Sequence, residues 1–276
     1  MKRKVEVVVI SDVHLGTYGA KALPLLDYLN SIEPQIIILN GDIIDGWQFS
    51  RKYFPTSHVE IIRKILDWVS KGKKLYYITG NHDEVMRKFV GFEVSNAKIV
   101  NKVVLPLDGK KAWIFHGDVF DITMRHSKWV AKMGADGYGF LILLNKAINF
   151  LLKKIGKGKI SLSKQIKNSV KSAVKSKNNF ETTAAEIAIQ NGYDYVICGH
   201  IHQPTIKNIE IENKKVCYLN SGDWVENMTA LEYNNKKWTL YTHKIDEKMR
   251  EEDIKTVSEN PLTNEYLFAQ LLKEFE

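Results

Sequence analysis

"VEVVVISDVHLG" (residues 5–16) begins with a nearly continuous β-branched run and stops at Asp12, His14 and Gly16. A short apolar run without alternation reads as a strand covered on both faces. The pattern returns in "QIIILN" (35–40), "KLYYIT" (74–79), "KAWIF" (111–115), "YDYVIC" (193–198) and "KVCYLN" (215–220). Helical patterns lie between the early runs. "KALPLLDYLNSI" sets Pro24 close to a helix start, where a missing N–H does no harm. "SHVEIIRKILDWVSKG" has Ser57 and Glu60 in capping-box spacing. It puts Ile61, Ile62, Ile65, Leu66 and Val69 on one face and ends near Gly72. Alternation of strand and helix predicts an α/β core.

The chain's 276 residues, 44% of them hydrophobic, suffice for one large domain or two modest ones. No uncharged apolar run of about 18 residues occurs, so no membrane-spanning helix is expected. "MKRKVEVVVISD" is short, β-branched and without a small-residue cleavage site; it reads as a first strand and not as a signal peptide. Two cysteines, Cys198 and Cys217, make neither a disulfide framework nor a zinc cluster, and a reducing cytoplasm is the default compartment. Cys198 reads as a small buried core residue.

The formal charge of +8 is unevenly placed: thirteen Lys/Arg lie between Arg125 and Lys177, with Asp136 the single acid among them. Either this segment meets a partner of negative charge, or it is a lysine bias on solvated helix faces. The same region breaks the strand–helix rhythm. "HSKWVAKMGADGYGFLILLNKAINFLLKKI" is apolar and basic, and "SLSKQIKNSVKSAVKSKNNF" continues with helical spacing and little bulk. The expected organisation is a core over 1–121 and 181–250, a helical, basic lid insertion over 122–180, and a helical C-terminal tail over 251–276.

The residues just past each apolar run carry the chemistry. The runs deliver, in order, Asp12 and His14; Asp42; Asn81 and His82; His116; and His200 and His202. The carboxyl ends of strands in open α/β sheets form the ligand crevice, so these groups should converge. A lone Asp at such a place is usually a turn residue, but five of the chain's eight histidines sit at these junctions. Histidine and carboxylate without sulfur suit Mn²⁺, Fe or Zn²⁺ in open hydrolytic sites. Seven candidate ligands are too many for one tetrahedral ion, whereas two ions about 3.5–4 Å apart use them all. In extended chain His200 and His202 point the same way, with Cα atoms roughly 6–7 Å apart. Each can then serve a different ion.

At these residues the sequence resembles the calcineurin-like metallophosphoesterase family, whose D-x-H, GD, GNH, H and GHxH blocks are all present in order. The resemblance covers roughly residues 5–120 and 190–245. It implies a two-layer β-sandwich flanked by helices, a four-layer αββα fold. It also implies that Asp12, His14, Asp42 and His202 hold one metal, and that Asp42 (bridging), Asn81, His116 and His200 hold the other. The expected reaction is in-line attack of a metal-bound hydroxide on phosphorus, with both ions stabilising charge on the phosphoryl oxygens. The resemblance turns His82 to the substrate as a catalytic residue, either stabilising the transition state or protonating the leaving oxygen. Asp83 either orients its imidazole or is an ordinary surface acid. Asp45 is a candidate to position the Asp42 loop, and Asp223 in "NSGDWVE" an outer orienting group.

The insertion bears on the substrate. "FLILLNKAINFLLKKI" combines a broad apolar face with clustered lysines: the face either holds acyl chains, with lysines on the head group, or packs on the core. "SDVHLG", "GDIIDGW" and "HGDVFD" resemble the UDP-2,3-diacylglucosamine hydrolase group of lipid A biosynthesis. That resemblance implies a pyrophosphatase acting on a nucleotide-sugar lipid, cytoplasmic and peripheral on the inner face of the plasma membrane. His82 stands where that group carries arginine, and this insertion is longer and more basic. Trp47, Arg125, Lys128 and Lys132 are the candidate substrate-binding residues. Among the alternatives, a nuclease calls for aromatics interleaved with the basic residues, and these are sparse over 153–179. A non-catalytic scaffold calls for lost ligands, and none of the seven is missing.

Overall fold

β1 (Arg3–Ile10) buries side chains on both faces: Val7 and Val9 enter one apolar cluster, Val8 and Ile10 another. This is why its sequence does not alternate. The computed structural model describes residues 2–47, 53–123 and 180–244, without the side chains of 121–123. Nearly all of the expected insertion, with Arg125, Lys128 and Lys132, and the whole of the expected tail lie outside the described residues.

In the first sheet β1 runs parallel to β2 (Ile32–Asn40), then β3 (Lys74–Ile78) and β5 (Ala97–Val100). Antiparallel β4 (Glu93–Val94) closes one edge, and β11 (Thr229–Asn234) with β12 (Lys237–Thr242) the other. The second sheet has the order β6-β7-β8-β10-β9, from β6 (Lys102–Leu107), β7 (Lys110–Phe115), β8 (Tyr195–Cys198), β9 (Thr205–Ile211) and β10 (Lys214–Asn220). Its central strands β7, β8 and β10 are parallel.

Val7, Val9, Ile38 and Ile78 of the first sheet meet Ala112, Ile114, Ile197 and Leu219 of the second. Helices α1 (Ala22–Ser31) and α2 (Thr56–Ser70) cover the outer face of the first sheet with Leu25, Tyr28, Leu29, Ile61, Ile65 and Trp68. A helix over residues 180–190, α3, lays Ala184, Ala185 and Ala188 on Val196, Cys198 and Tyr218 of the second. The result is the expected four-layer αββα stack.

Two local expectations are corrected. α2 begins after Pro55 with no side-chain cap, and Glu60 pairs instead with Arg63 on the surface at 2.8 Å. Ile61, Ile65 and Trp68 form its buried stripe, while Leu66 is 58% exposed because it lies about 100° round the helix from Ile65. Both cysteines are free, and Cys198 is buried as expected. No helix among the described residues is long and apolar enough to cross a membrane.

Candidate metal centre

Parallel strands deliver their carboxyl ends to one side of the stack. Asp12 and His14 come after β1, Asp42 after β2, Asn81 and His82 after β3, His116 after β7, and His200 and His202 after β8. All seven expected ligands gather there. Asp12, His14 and His202 form one group of potential metal donors, and Asp42, His116 and His200 another. Asn81 opens onto the same cleft of about 390 Å³, with His14, Asp42, His82, His200 and His202.

The chain bends sharply to present them. Asp12, His14, Asp42, His200 and His202 all take left-handed φ, between 50° and 63°, a conformation that costs a non-glycine residue about 1–2 kcal/mol. Such strain persists only where surrounding structure over-determines it. Close packing does so here: a Cβ at Gly80 would overlap the Asp42 carboxylate and lie 2.6 Å from the Asp42 nitrogen.

The donor atoms face a common space rather than one another. Asp12 Oδ1 lies 3.1 Å from His202 Nε2, and Asp42 Oδ2 lies 3.2 Å from His116 Nε2. Yet Asp12 Oδ1 and His116 Nε2 are buried without a hydrogen-bond partner, as are His14 Nε2 and Asn81 Oδ1. Buried polar atoms are rarely left so, and three of these four belong to the two donor groups, the fit expected of a cation's donor set. The far nitrogens are fixed. His116 Nδ1 lies 2.8 Å from the Asn40 carbonyl and His14 Nδ1 lies 3.0 Å from Asp45, contacts that turn Nε2 of each ring inward.

Electrostatics agree. Burial alone would raise Asp12, but the His202 imidazole 3.1 Å away and the nearby His116 charge hold its carboxyl below the usual range. Asp42 is likewise held low against burial by His116. Burial would lower His116, yet the Asp42 carboxylate, with those of Asp12 and Asp118, pushes it up to about 10. His202 is raised against its burial by Asp12. Without a cation, the His116 imidazole holds its proton against the Asp42 carboxylate.

His82 stands over the cleft, its backbone N donating to Asp42 Oδ1 at 2.8 Å. Its Nδ1 lies 2.9 Å from Asp45 Oδ2, the oxygen that also takes His14. Asp83, expected either to orient that imidazole or to be an ordinary surface acid, does neither. It is buried, and its carboxylate accepts Gly80 N and Ile43 N and the Tyr77 hydroxyl, knitting two loops below the site. The carboxylate that His82 meets is that of Asp45, three residues past Asp42 in "GDIID", a contact that needs the fold to bring 45 to 82. Trp47 lines the cleft, 62% exposed, with its ring centred 4.1 Å from that of His82. Asp223 Oδ1 accepts the backbone N–H groups of Val225, Glu226 and Asn227, and Asn227 Nδ2 donates to His202 O at 3.0 Å. Asp223 Oδ2 stays 3.9 Å from His202 Nδ1, so it steadies His202 through the turn. Val225, two residues past Asp223, lines the cleft beside this turn.

Residues 5–204 match the sequence model described as Calcineurin-like phosphoesterase. The UDP-2,3-diacylglucosamine hydrolase of Aliivibrio fischeri (strain MJ11) is 24% identical over 242 residues, 85% of this chain and 97% of that protein. The protein of the same name from Vibrio cholerae serotype O1 (El Tor Inaba N16961) is 23% identical over 242 residues, covering 84% and 96%. Among solved structures, an archaeal phosphodiesterase is 13% identical with a TM-score of 0.40, covering 86% of this chain and 98% of that one.

Proposed function

The chain belongs to the calcineurin-like phosphoesterase family and is a phosphoester or pyrophosphate hydrolase, and from that premise we propose that it cleaves the pyrophosphate bond of a nucleotide-sugar lipid at a pair of divalent cations. The favoured substrate is UDP-2,3-diacylglucosamine, giving UMP and a lipid phosphate, and it is met at a membrane surface. The relatives' names support that class, and the cluster of orphaned donors from Asp12, His14, Asn81 and His116 carries the two-cation reading.

In this reading Asp12, His14, Asp42 and His202 hold one cation, and Asp42, Asn81, His116 and His200 the other, with manganese favoured by oxygen and imidazole donors without sulfur. Divalent cations in such a site supply charge to the phosphoryl oxygens and lower the pKa of water. The chain's own groups do the rest. Asp45 holds His82 by Nδ1, so Nε2, on the far side of the ring, is free to face the bridging phosphate. As a water oxygen bonds to phosphorus and the bond from phosphorus to the leaving oxygen breaks, a proton on His82 Nε2 passes to that leaving oxygen. His82 also donates its backbone N–H to Asp42, which couples the acid's position to the shared ligand. Trp47 gives the leaving group an exposed aromatic wall.

A hydrolysis assay with added Mn²⁺ on UDP-2,3-diacylglucosamine, a simple phosphodiester and single-stranded DNA tests this. UMP and a lipid phosphate are expected. Cleavage of the DNA alone overturns the substrate in favour of a nuclease.

A further inference from the structure

We infer that Arg87 and Asp118 are a positioning pair for the second cation: their ion pair holds the loop bearing Asn81 against the loop bearing His116. The inference rests on the two-cation reading of the site. Four strand ends from two sheets supply that cation's donors, so their mutual placement depends on contacts between loops.

Three of these junctions are hydrogen-bonded to backbone groups. Gly80 N and Ile43 N both donate to Asp83, at 2.6 and 3.0 Å, which joins the Asn81 loop to the Asp42 loop. His116 Nδ1 contacts Asn40 O at 2.8 Å, joining β7 to the end of β2. Gly199 N donates to His116 O at 2.9 Å, joining the His116 and His200 loops.

The fourth junction closes the ring. Asn81 lies past a strand of the first sheet and His116 past a strand of the second, and no ladder runs between them. Arg87 lies in the 3₁₀ turn Glu84–Phe89 just beyond Asn81, and Asp118 opens the turn Asp118–Thr123 two residues after His116. Arg87 Nη2 donates to Asp118 Oδ2 and reaches Gly80 O at 3.5 Å. Among the described residues this side-chain pair is the hydrogen-bonded link between the two loops. Both side chains are largely shielded, 30% and 14% exposed, and neither lines the cleft, so they act through the ligands and not on the substrate.

Removing one partner should weaken one cation and spare the other. The test titrates metal-stripped protein with MnCl₂ by calorimetry and tracks the manganese EPR spectrum. Arg87→Ala and Asp118→Ala are expected to weaken the second ion by about 10–100-fold, the usual effect of losing a group behind a ligand. The first ion should stay within about twofold of wild type, and the spin-coupled signal of a pair should give way to that of isolated Mn²⁺. Arg87→Lys should recover part of the affinity, and the exchanged pair Arg87→Asp with Asp118→Arg should bind better than either alanine variant. Two ions held with wild-type affinity in Arg87→Ala, parallel loss of both ions, or no recovery in the exchanged pair each overturns the inference. A wild-type protein that takes one ion overturns the two-cation reading itself, and with it this inference, before any variant is made.

Discussion

His82 Nδ1 stands 2.9 Å from Asp45 Oδ2, the same oxygen that His14 Nδ1 approaches at 3.0 Å. One buried carboxylate oxygen therefore meets both the proposed ligand His14 and the proposed acid His82. His82→Ala should lower kcat by about 10²–10⁴-fold and leave two manganese ions per chain. Asp45→Ala should do both kinds of damage, lowering kcat and weakening manganese at the His14 group by about 10–100-fold. Metal content by elemental analysis, beside kcat on a phosphodiester, separates the two. Loss of metal from His82→Ala would make His82 a ligand.

His58 gives the fold an acid sensitivity of its own. Burial holds its imidazole down, at about 4 against 6.5, and its Nδ1 accepts the Gly16 N–H at 3.0 Å. The folded state thus binds fewer protons than the unfolded chain between pH 4 and 6.5. Stability therefore falls as pH drops below 6.5 and stops falling near 4. At 1.36 kcal/mol per unit, moving from pH 7 to pH 5 costs about 2 kcal/mol through this group. Urea unfolding of metal-free protein at both values measures it. His58→Gln retains an acceptor for Gly16 and removes the titration, so its loss between pH 7 and 5 should be smaller by about that amount. Equal losses would assign the acid sensitivity elsewhere.

The residues proposed as ligands stood out because each sits at the end of an apolar run, where Asp or His follows valines and isoleucines. The three groups behind them did not. Asp45, Arg87 and Asp118 work through contacts between segments 31–37 residues apart in sequence, and a carboxylate three residues past a ligand reads equally well as a turn residue. Asp83 misled for the same reason, since adjacency to His82 says nothing about which way its side chain turns. Among strands, β1, β2, β3, β7, β8 and β10 were readable from their buried runs. β9 and β12 are edge strands whose faces carry lysine, glutamate and threonine, and a two-residue β4 has no periodicity to detect.

The β11–β12 hairpin turns through Asn235 and Lys236, both left-handed at φ 51° and 63°. Such two-residue turns favour Asn-Gly, and lysine at the second place bears the steric cost of a Cβ. Lys236→Gly should therefore stabilise the protein by about 1 kcal/mol and raise Tm by roughly 2–4 °C. Calorimetry of metal-free protein reads it. Metal affinity should not move, since the turn lies at the end of β11 opposite Thr229, on the far side of the stack from the centre. A lower Tm would mean that the lysine side chain supplies a contact worth more than the relief.

Two glycines separate crowding at the centre from ordinary backbone strain. At Gly80 an added Cβ would strike the Asp42 carboxylate and the Asp42 backbone nitrogen, and a backbone atom in a ladder-anchored loop yields little. At Gly109, in the β6–β7 turn, φ is +80° and an added Cβ meets nothing within 4 Å. Gly109→Ala should then lose about 1–2 kcal/mol of stability to its left-handed backbone and bind manganese as wild type does. Gly80→Ala should lose comparable stability from overpacking, about 1–3 kcal/mol, and in addition displace the carboxylate that both donor groups are proposed to share. Its affinity for both ions should fall by tenfold or more in a calorimetric titration, whereas loss of Asn81 alone would weaken one. If Gly80→Ala loses stability while both ions bind unchanged, Asp42 is not the shared ligand, because the one group that the new Cβ must move would have been free to move without consequence.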